Sequence, residues 1–142
     1  MTPDKILYTA HATVTGAGRE GTARTPDGAL DLALSTPRGL GGAGGAGTNP
    51  EQLFAAGYAA CFLSAIRHVA SQQKTSVPAD TSVSAAVGIG PSATGYCLTV
   101  ELSVQMPGAE RATAEALVAA AHAVCPYSNA TRGNIDVSLR VA

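Results

Sequence analysis

Thr48-Asn49-Pro50-Glu51-Gln52-Leu53-Phe54-Ala55-Ala56-Gly57-Tyr58-Ala59-Ala60-Cys61-Phe62-Leu63-Ser64-Ala65-Ile66-Arg67-His68 is the most apolar long stretch of the sequence, and it carries a cysteine near its middle. Asn49 suits an N-cap, Pro50 suits the first helical position because no amide donor is needed there, and Gln52 completes a capping-box spacing. The segment is therefore expected to start a helix at Pro50. Gln52 to Ile66 carries no formal charge, and its large apolar side chains fall on more than one face, so the helix requires burial nearly all round. That uncharged run is 15 residues with Gly57 and Ser64 inside it. It falls short of the ~20 residues that a bilayer core demands, which favours the core helix of a soluble protein over membrane insertion.

The remaining chain is consistent with that choice. Its 142 residues fit a single domain spanning 1–142. Nine basic and ten acidic residues are spread along it, giving a net charge of −1, with no basic stripe for nucleic acid and no lysine-rich amphipathic face for a membrane surface. With no Trp and only two Phe, the core has to be built from Ala, Val, Leu and Ile. The N-terminus shows no basic region followed by an apolar run, so the expected location is cytoplasmic. Cys61, Cys97 and Cys125 are odd in number and too widely spaced for a disulfide scaffold or a paired zinc motif, which turns attention to thiol chemistry.

Outside the central helix, the sequence alternates between strand and turn signals. Ile6 to Thr15 is rich in β-branched residues and ends at Gly16-Ala17-Gly18. Gly21–Thr25 and Ala29–Leu34 flank the turn Pro26-Asp27-Gly28, which makes a three-stranded antiparallel meander. Six glycines between Ser35 and Gly47 form a loop that lacks the lysine a phosphate-binding loop needs. After the helix, Ser82–Ile89 and Tyr96–Gln105 are expected to form a hairpin, Ala109–Val124 a helix stopped by Pro126, and Asn134–Val141 a last strand. The order βββ-α-ββ-α-β gives an α+β fold, an antiparallel sheet packed on a long central helix.

Cys61 alone is most simply a small buried hydrophobe. Cys125 alters that balance because it ends a helix in a turn dense with polar residues, where function concentrates. The two thiols would be able to form a reacting pair if the fold brought their Cα atoms within ~7 Å, and spacing alone leaves that open.

Asn49-Pro50-Glu51-Gln52-Leu53-Phe54-Ala55-Ala56-Gly57-Tyr58-Ala59-Ala60-Cys61-Phe62, the block Val124-Cys125-Pro126-Tyr127-Ser128 continuing through Ala130-Thr131-Arg132-Gly133-Asn134, and Gly16-Ala17-Gly18-Arg19-Glu20-Gly21 resemble the three signature regions of the organic hydroperoxide resistance (Ohr) branch of the OsmC/Ohr family. They occur in the expected order, and the similarity spans essentially the whole chain. The resemblance implies an intertwined homodimer and a cysteine-based peroxidase that reduces organic or lipid hydroperoxides to alcohols with no bound cofactor or metal. Cys61 would be the attacking thiol, Cys125 the resolving thiol, and Arg19 with Glu51 the pair that holds the thiolate. Dihydrolipoyl groups on lipoylated proteins, or another dithiol, would reduce the Cys61–Cys125 disulfide. Cys97 is no part of the pattern and receives no role.

Elementary chemistry explains why such a site needs its parts. Only roughly 3 % of an ordinary thiol is thiolate at pH 7, and a mid-helix Cys61 is expected to gain nothing from a helix N-terminal dipole, so it needs a cation. A guanidinium stays charged in a poorly hydrated site and offers parallel donors. Geometry adds a constraint, because ten residues of straight helix separate Glu51 from Cys61 by ~15 Å along the axis. Either the helix breaks near Gly57, or Glu51 serves the site of a second subunit through an antiparallel copy of the helix about an axis near residue 56. The histidines His11, His68 and His122 match neither zinc nor hydrolase spacings. A non-catalytic dimeric thiol redox switch is the alternative, distinguished from an enzyme by the absence of repeated turnover.

Overall fold

The computed structural model describes residues 1–142, which divide into two compact units, Met1–Pro50 and Glu51–Ala142. In the first, β1 (Thr13–Thr15), β2 (Thr22–Arg24) and β3 (Asp31–Ala33) form the expected antiparallel meander. Its turn is set locally. Gly28 donates its N–H to the Thr25 carbonyl at 3.0 Å, while the Asp27 carboxylate accepts from the Thr25 hydroxyl at 2.6 Å and the Ala29 N–H at 3.0 Å. These bonds favour the ionised carboxylate and hold Asp27 below its ordinary range.

The first strand is shorter than its composition predicts. Pairing begins only at Thr13, opposite Arg24, because the partner strand gives way to the turn at Thr25. Residues 6–12 thus have no ladder to join, and Ile6, Leu7 and Tyr8 stand 63 %, 89 % and 81 % exposed. The glycine-rich stretch contains one short 3-10 turn, Arg38–Leu40, and its end is tied back by a parallel bridge between Thr48 and Leu34.

The second unit is built on α1 (Pro50–Gln72), which begins at the expected proline and runs unbroken through Gly57. At 23 residues it is long and apolar enough, by length and composition alone, to cross a membrane. Here it serves as core: Tyr58, Phe62, Ala65, Ile66, Val69 and Ala70 are buried in one cluster with residues of the sheet and the second helix. Burial is one-sided, however, since Gln52, Ala56, Ala60 and Ser64 line a solvent-exposed stripe.

β4 (Ser82–Ser92) and β5 (Gly95–Gln105), 11 residues each, form a hairpin closed by Ala93 and Thr94. Its strands run further toward the tip than expected. Pro91 is accommodated because β4 is the edge of the sheet, where a missing N–H breaks no inner ladder. Val100, Leu102 and Val104 alternate inward from β5. α2 (Arg111–Val124) lays Ala114, Leu117, Val118 and Ala121 into the same core. The final strand, β6 (Val137–Val141), joins β5 in parallel, with Val100 opposite Val137 and Val104 opposite Val141. Helical residues intervene between β5 and β6, and a crossover returns the chain in the same direction, so the mostly antiparallel architecture includes one parallel pair. A six-residue helix, α3 (Pro126–Thr131), was not expected.

Leu102 is fully buried at the centre of the core. Leu102→Ala is expected to lower the unfolding free energy by about 2–5 kcal/mol, measured by urea denaturation at fixed protein concentration.

Candidate active site

Cys125 lies where α2 stops. Its N–H still bonds the Ala121 carbonyl at 2.9 Å, but its φ of −64° and ψ of 125° are extended, the region to which a following proline confines a residue. The same residue is the N-cap of α3, with Pro126 at the first helical position. The chain therefore turns sharply at a completely buried thiol.

Across from it stands half-buried Cys61 on α1, with the two Sγ atoms 3.6 Å apart and both thiols free. Two side chains separated by 64 positions in sequence are thus in contact. Cys97 is exposed, on β5. Glu51 sits in the first turn of α1. Because the helix is continuous, its rise separates Glu51 from Cys61 of the same chain by ~15 Å, and the option of a helix broken at Gly57 is closed.

Three influences act on the Cys61 thiol. Burial is the largest and pushes its pKa up; a hydrogen bond from the Tyr127 backbone N–H pulls it down; the neighbouring Cys125 pushes it up again. The net direction is upward, so at neutral pH the chain's own surroundings favour the thiol over the thiolate. The Tyr127 N–H corrects the expectation that no helix end would assist Cys61: the first turn of α3 supplies a donor that the sequence reading, lacking this helix, did not contain. Pro126 was the available signal, since proline both ends one helix and favours the start of another.

The Tyr127 side chain packs on α1, with ring centroids 5.7 Å from Phe54 and 5.6 Å from Tyr58. A Cβ on Gly57 would fall 2.8 Å from its hydroxyl oxygen, so the glycine at this point of the helix gives the ring room. Beneath it, the hydroxyl of fully buried Tyr58 lies 3.0 Å from Ser128 Oγ and 3.2 Å from Thr131 Oγ1, and His122 Nδ1 lies 2.9 Å from Ser128 Oγ. Arg132 braces the same corner by donating to the His122 carbonyl and, at 2.7 Å, to Asn129 Oδ1. Burial first, and the Arg132 cation second, hold the His122 imidazole below its ordinary pKa.

Arg19 belongs to the first unit, in the 3-10 turn Gly18–Glu20. The next residue anchors that turn, as the Glu20 carboxylate accepts the Thr36 N–H at 3.0 Å, and bonding from Thr36 holds Glu20 below the usual carboxylate range. Gly21 admits no side chain there, because a Cβ would meet the Thr15 carbonyl oxygen at 1.8 Å. No group of three or more His, Cys, Asp or Glu side chains gathers within metal-holding reach.

Residues 42–140 match the family model described as OsmC-like protein. The organic hydroperoxide resistance protein of Xanthomonas axonopodis pv. citri is 61 % identical over 140 residues, covering 99 % of this chain and 98 % of that protein. Among solved structures, an organic hydroperoxide resistance protein from Legionella pneumophila superposes with a TM-score of 0.91 at 55 % identity, covering 97 % of this chain and 99 % of the other. The corresponding figures for OhrB of Bacillus subtilis are 0.88 and 44 %, covering 96 % of this chain and 100 % of the other. With the long helix, the mixed sheet and the contacting thiols, these similarities establish that the chain belongs to the OsmC/Ohr family, in its organic hydroperoxide resistance branch.

Proposed function

We propose that this protein defends against organic hydroperoxides as a cysteine-based peroxidase. The observation that carries the reading is the 3.6 Å contact between Cys61 and fully buried Cys125, joined with relatives named for organic hydroperoxide resistance. The Cys61 thiolate attacks the distal oxygen of the peroxide; the O–O bond breaks, the leaving alkoxide takes a proton and departs as alcohol, and Cys61 is left as a sulfenic acid. Cys125 then attacks the Cys61 sulfur, water leaves, and a disulfide forms before further oxidation. A dithiol of the dihydrolipoyl type, on a lipoylated protein of the cytoplasm, returns both thiols to the reduced state by exchange. No metal or bound cofactor takes part in this scheme.

Arg19 and Glu51 have roles that follow from the electrostatics. Burial favours the neutral Cys61 thiol, so the thiolate needs a cation in addition to the Tyr127 N–H. Arg19 is that cation and polarises the peroxide, while Glu51 orients the guanidinium. Since Glu51 is out of reach of Cys61 on its own unbroken helix, it serves a second chain in a homodimer of single-domain subunits. Two features suit an intertwined dimer: the exposed stripe of Ala56, Ala60 and Ser64 on α1, and the exposed apolar segment Ile6–Tyr8, which has strand composition but no strand partner in its own chain. The aromatic side chains of Phe54 and Tyr127 favour a hydroperoxide bearing an alkyl or acyl chain.

Three outcomes test this reading. With an alkyl hydroperoxide and dihydrolipoamide, wild type turns over repeatedly; Cys61→Ser abolishes consumption, and Cys125→Ser passes its sulfenic acid on to sulfinic acid detectable by mass spectrometry. A single stoichiometric oxidation without turnover would leave a redox switch instead. Arg19→Gln moves the alkaline onset of Cys61 alkylation by iodoacetamide to higher pH, and each tenfold loss of thiolate at pH 7 corresponds to about 1.4 kcal/mol of lost stabilisation. Ala56→Glu converts a dimer to monomer in sedimentation equilibrium and lowers turnover with it; a monomeric wild type would remove the shared-site argument.

A further inference from the structure

The buried hydroxyls beside the thiols form a chain whose direction is fixed by counting hydrogens. Thr131 Oγ1 lies 2.9 Å from the Tyr127 carbonyl and 3.3 Å from the Ser128 carbonyl, and carbonyls only accept, so the Thr131 proton is spent there. The contact between Tyr58 and Thr131 can then hold a hydrogen only if Tyr58 donates. With its single proton committed, Tyr58 must accept from Ser128 at 3.0 Å. Ser128, likewise committed, must accept from His122 Nδ1 at 2.9 Å. Only a protonated Nδ1 gives every contact a hydrogen. Ser128 and Tyr58 are fully buried, so an unmade bond here would cost the desolvation of its group.

The chain touches all three helices around the thiols. His122 belongs to the last turn of α2, Tyr58 to α1 one turn before Cys61, and Ser128 and Thr131 to α3. We propose that Tyr58, Ser128 and His122 are positioning residues: a one-way hydrogen-bond chain running from His122 Nδ1–H to the Tyr127 and Ser128 carbonyls of α3 fixes that short helix, and with it Cys125 Sγ and the Tyr127 N–H, against Cys61. Six residues cannot hold a helix by their own backbone bonds, so α3 depends on such ties for its placement. The lowered pKa of His122 accords with this, because a neutral ring with hydrogen at Nδ1 leaves Nε2 bare at neutral pH. The consequence for turnover rests on the peroxidase reading; the effect on pairing of the two thiols does not.

The test separates the two. In 15N NMR of the wild type at pH 8, His122 is expected to show a protonated Nδ1 and an unprotonated Nε2; the opposite tautomer would overturn the chain. Closure of the Cys61–Cys125 disulfide by diamide, which needs no peroxidase activity, is expected to slow about tenfold in Tyr58→Phe and Ser128→Ala, the order of a buried hydrogen bond lost from the reacting geometry. His122→Asn, whose amide nitrogen stands near the place of Nδ1, should keep the wild-type rate, while His122→Leu should lose it. If Ser128→Ala fails to fold, Tyr58→Phe and the two His122 variants decide the matter. Unchanged closure in Tyr58→Phe and His122→Leu would refute the positioning role and leave the peroxidase reading standing. Normal closure in the wild type with the predicted variant losses, but without peroxide turnover, would support the positioning role and sink the peroxidase reading.

Discussion

The arrangement at the thiols depends on one backbone constraint, the proline that follows Cys125. A proline disfavours helical conformation in the residue before it, and Cys125 accordingly adopts the extended geometry that ends α2. Pro126 lacks an N–H, which is harmless at the first position of a new helix, so the chain restarts at once as α3. Two consequences meet at Cys61. The Cys125 sulfur comes within 3.6 Å of it, and the first N–H of α3 with a hydrogen to give, that of Tyr127, pulls the pKa of its thiol down. A helix continuing past residue 125 would have its N–H groups engaged along its own axis and none free for a neighbour.

Packing and electrostatics oppose one another at this point. The core that holds α1 also desolvates Cys61, and desolvation favours the thiol. A backbone donor offsets part of that effect without bringing a charge into the core. The hydroxyls of Tyr58, Ser128 and Thr131 and the ring of His122 are handled in another way, each satisfying the next, so that a polar cluster can lie within an apolar cluster at little cost. The same side chains thereby link all three helices.

The extent to which the sequence foretold this differs element by element. The start of α1 at Pro50 was legible because capping is local chemistry, and the meander turn at Pro26-Asp27-Gly28 for the same reason. Strand alternation located β5 and β6, yet not their parallel pairing, since alternation is identical for either direction. Ile6 to Thr15 has the composition of a strand, but a strand also requires a partner, and only three residues find one within the chain. Pro126 was recognised as the end of one helix and not as the beginning of the next. Six residues carry too short a periodic pattern to announce themselves.

The sequence by itself determined the long apolar helix, the α+β order, the two cysteine blocks and, through their resemblance, the family. Each of these is written in local spacing or in residue identity, which survive without coordinates. Only the tertiary structure decided that Cys61 and Cys125 touch, that α1 is continuous through Gly57, that Tyr127 gives its N–H to Cys61, and that His122, Ser128, Tyr58 and Thr131 form one chain. Those relations join positions as far as 73 residues apart, and they come into being only when the burial of α1 against β5 and α2 brings its neighbours to a common centre.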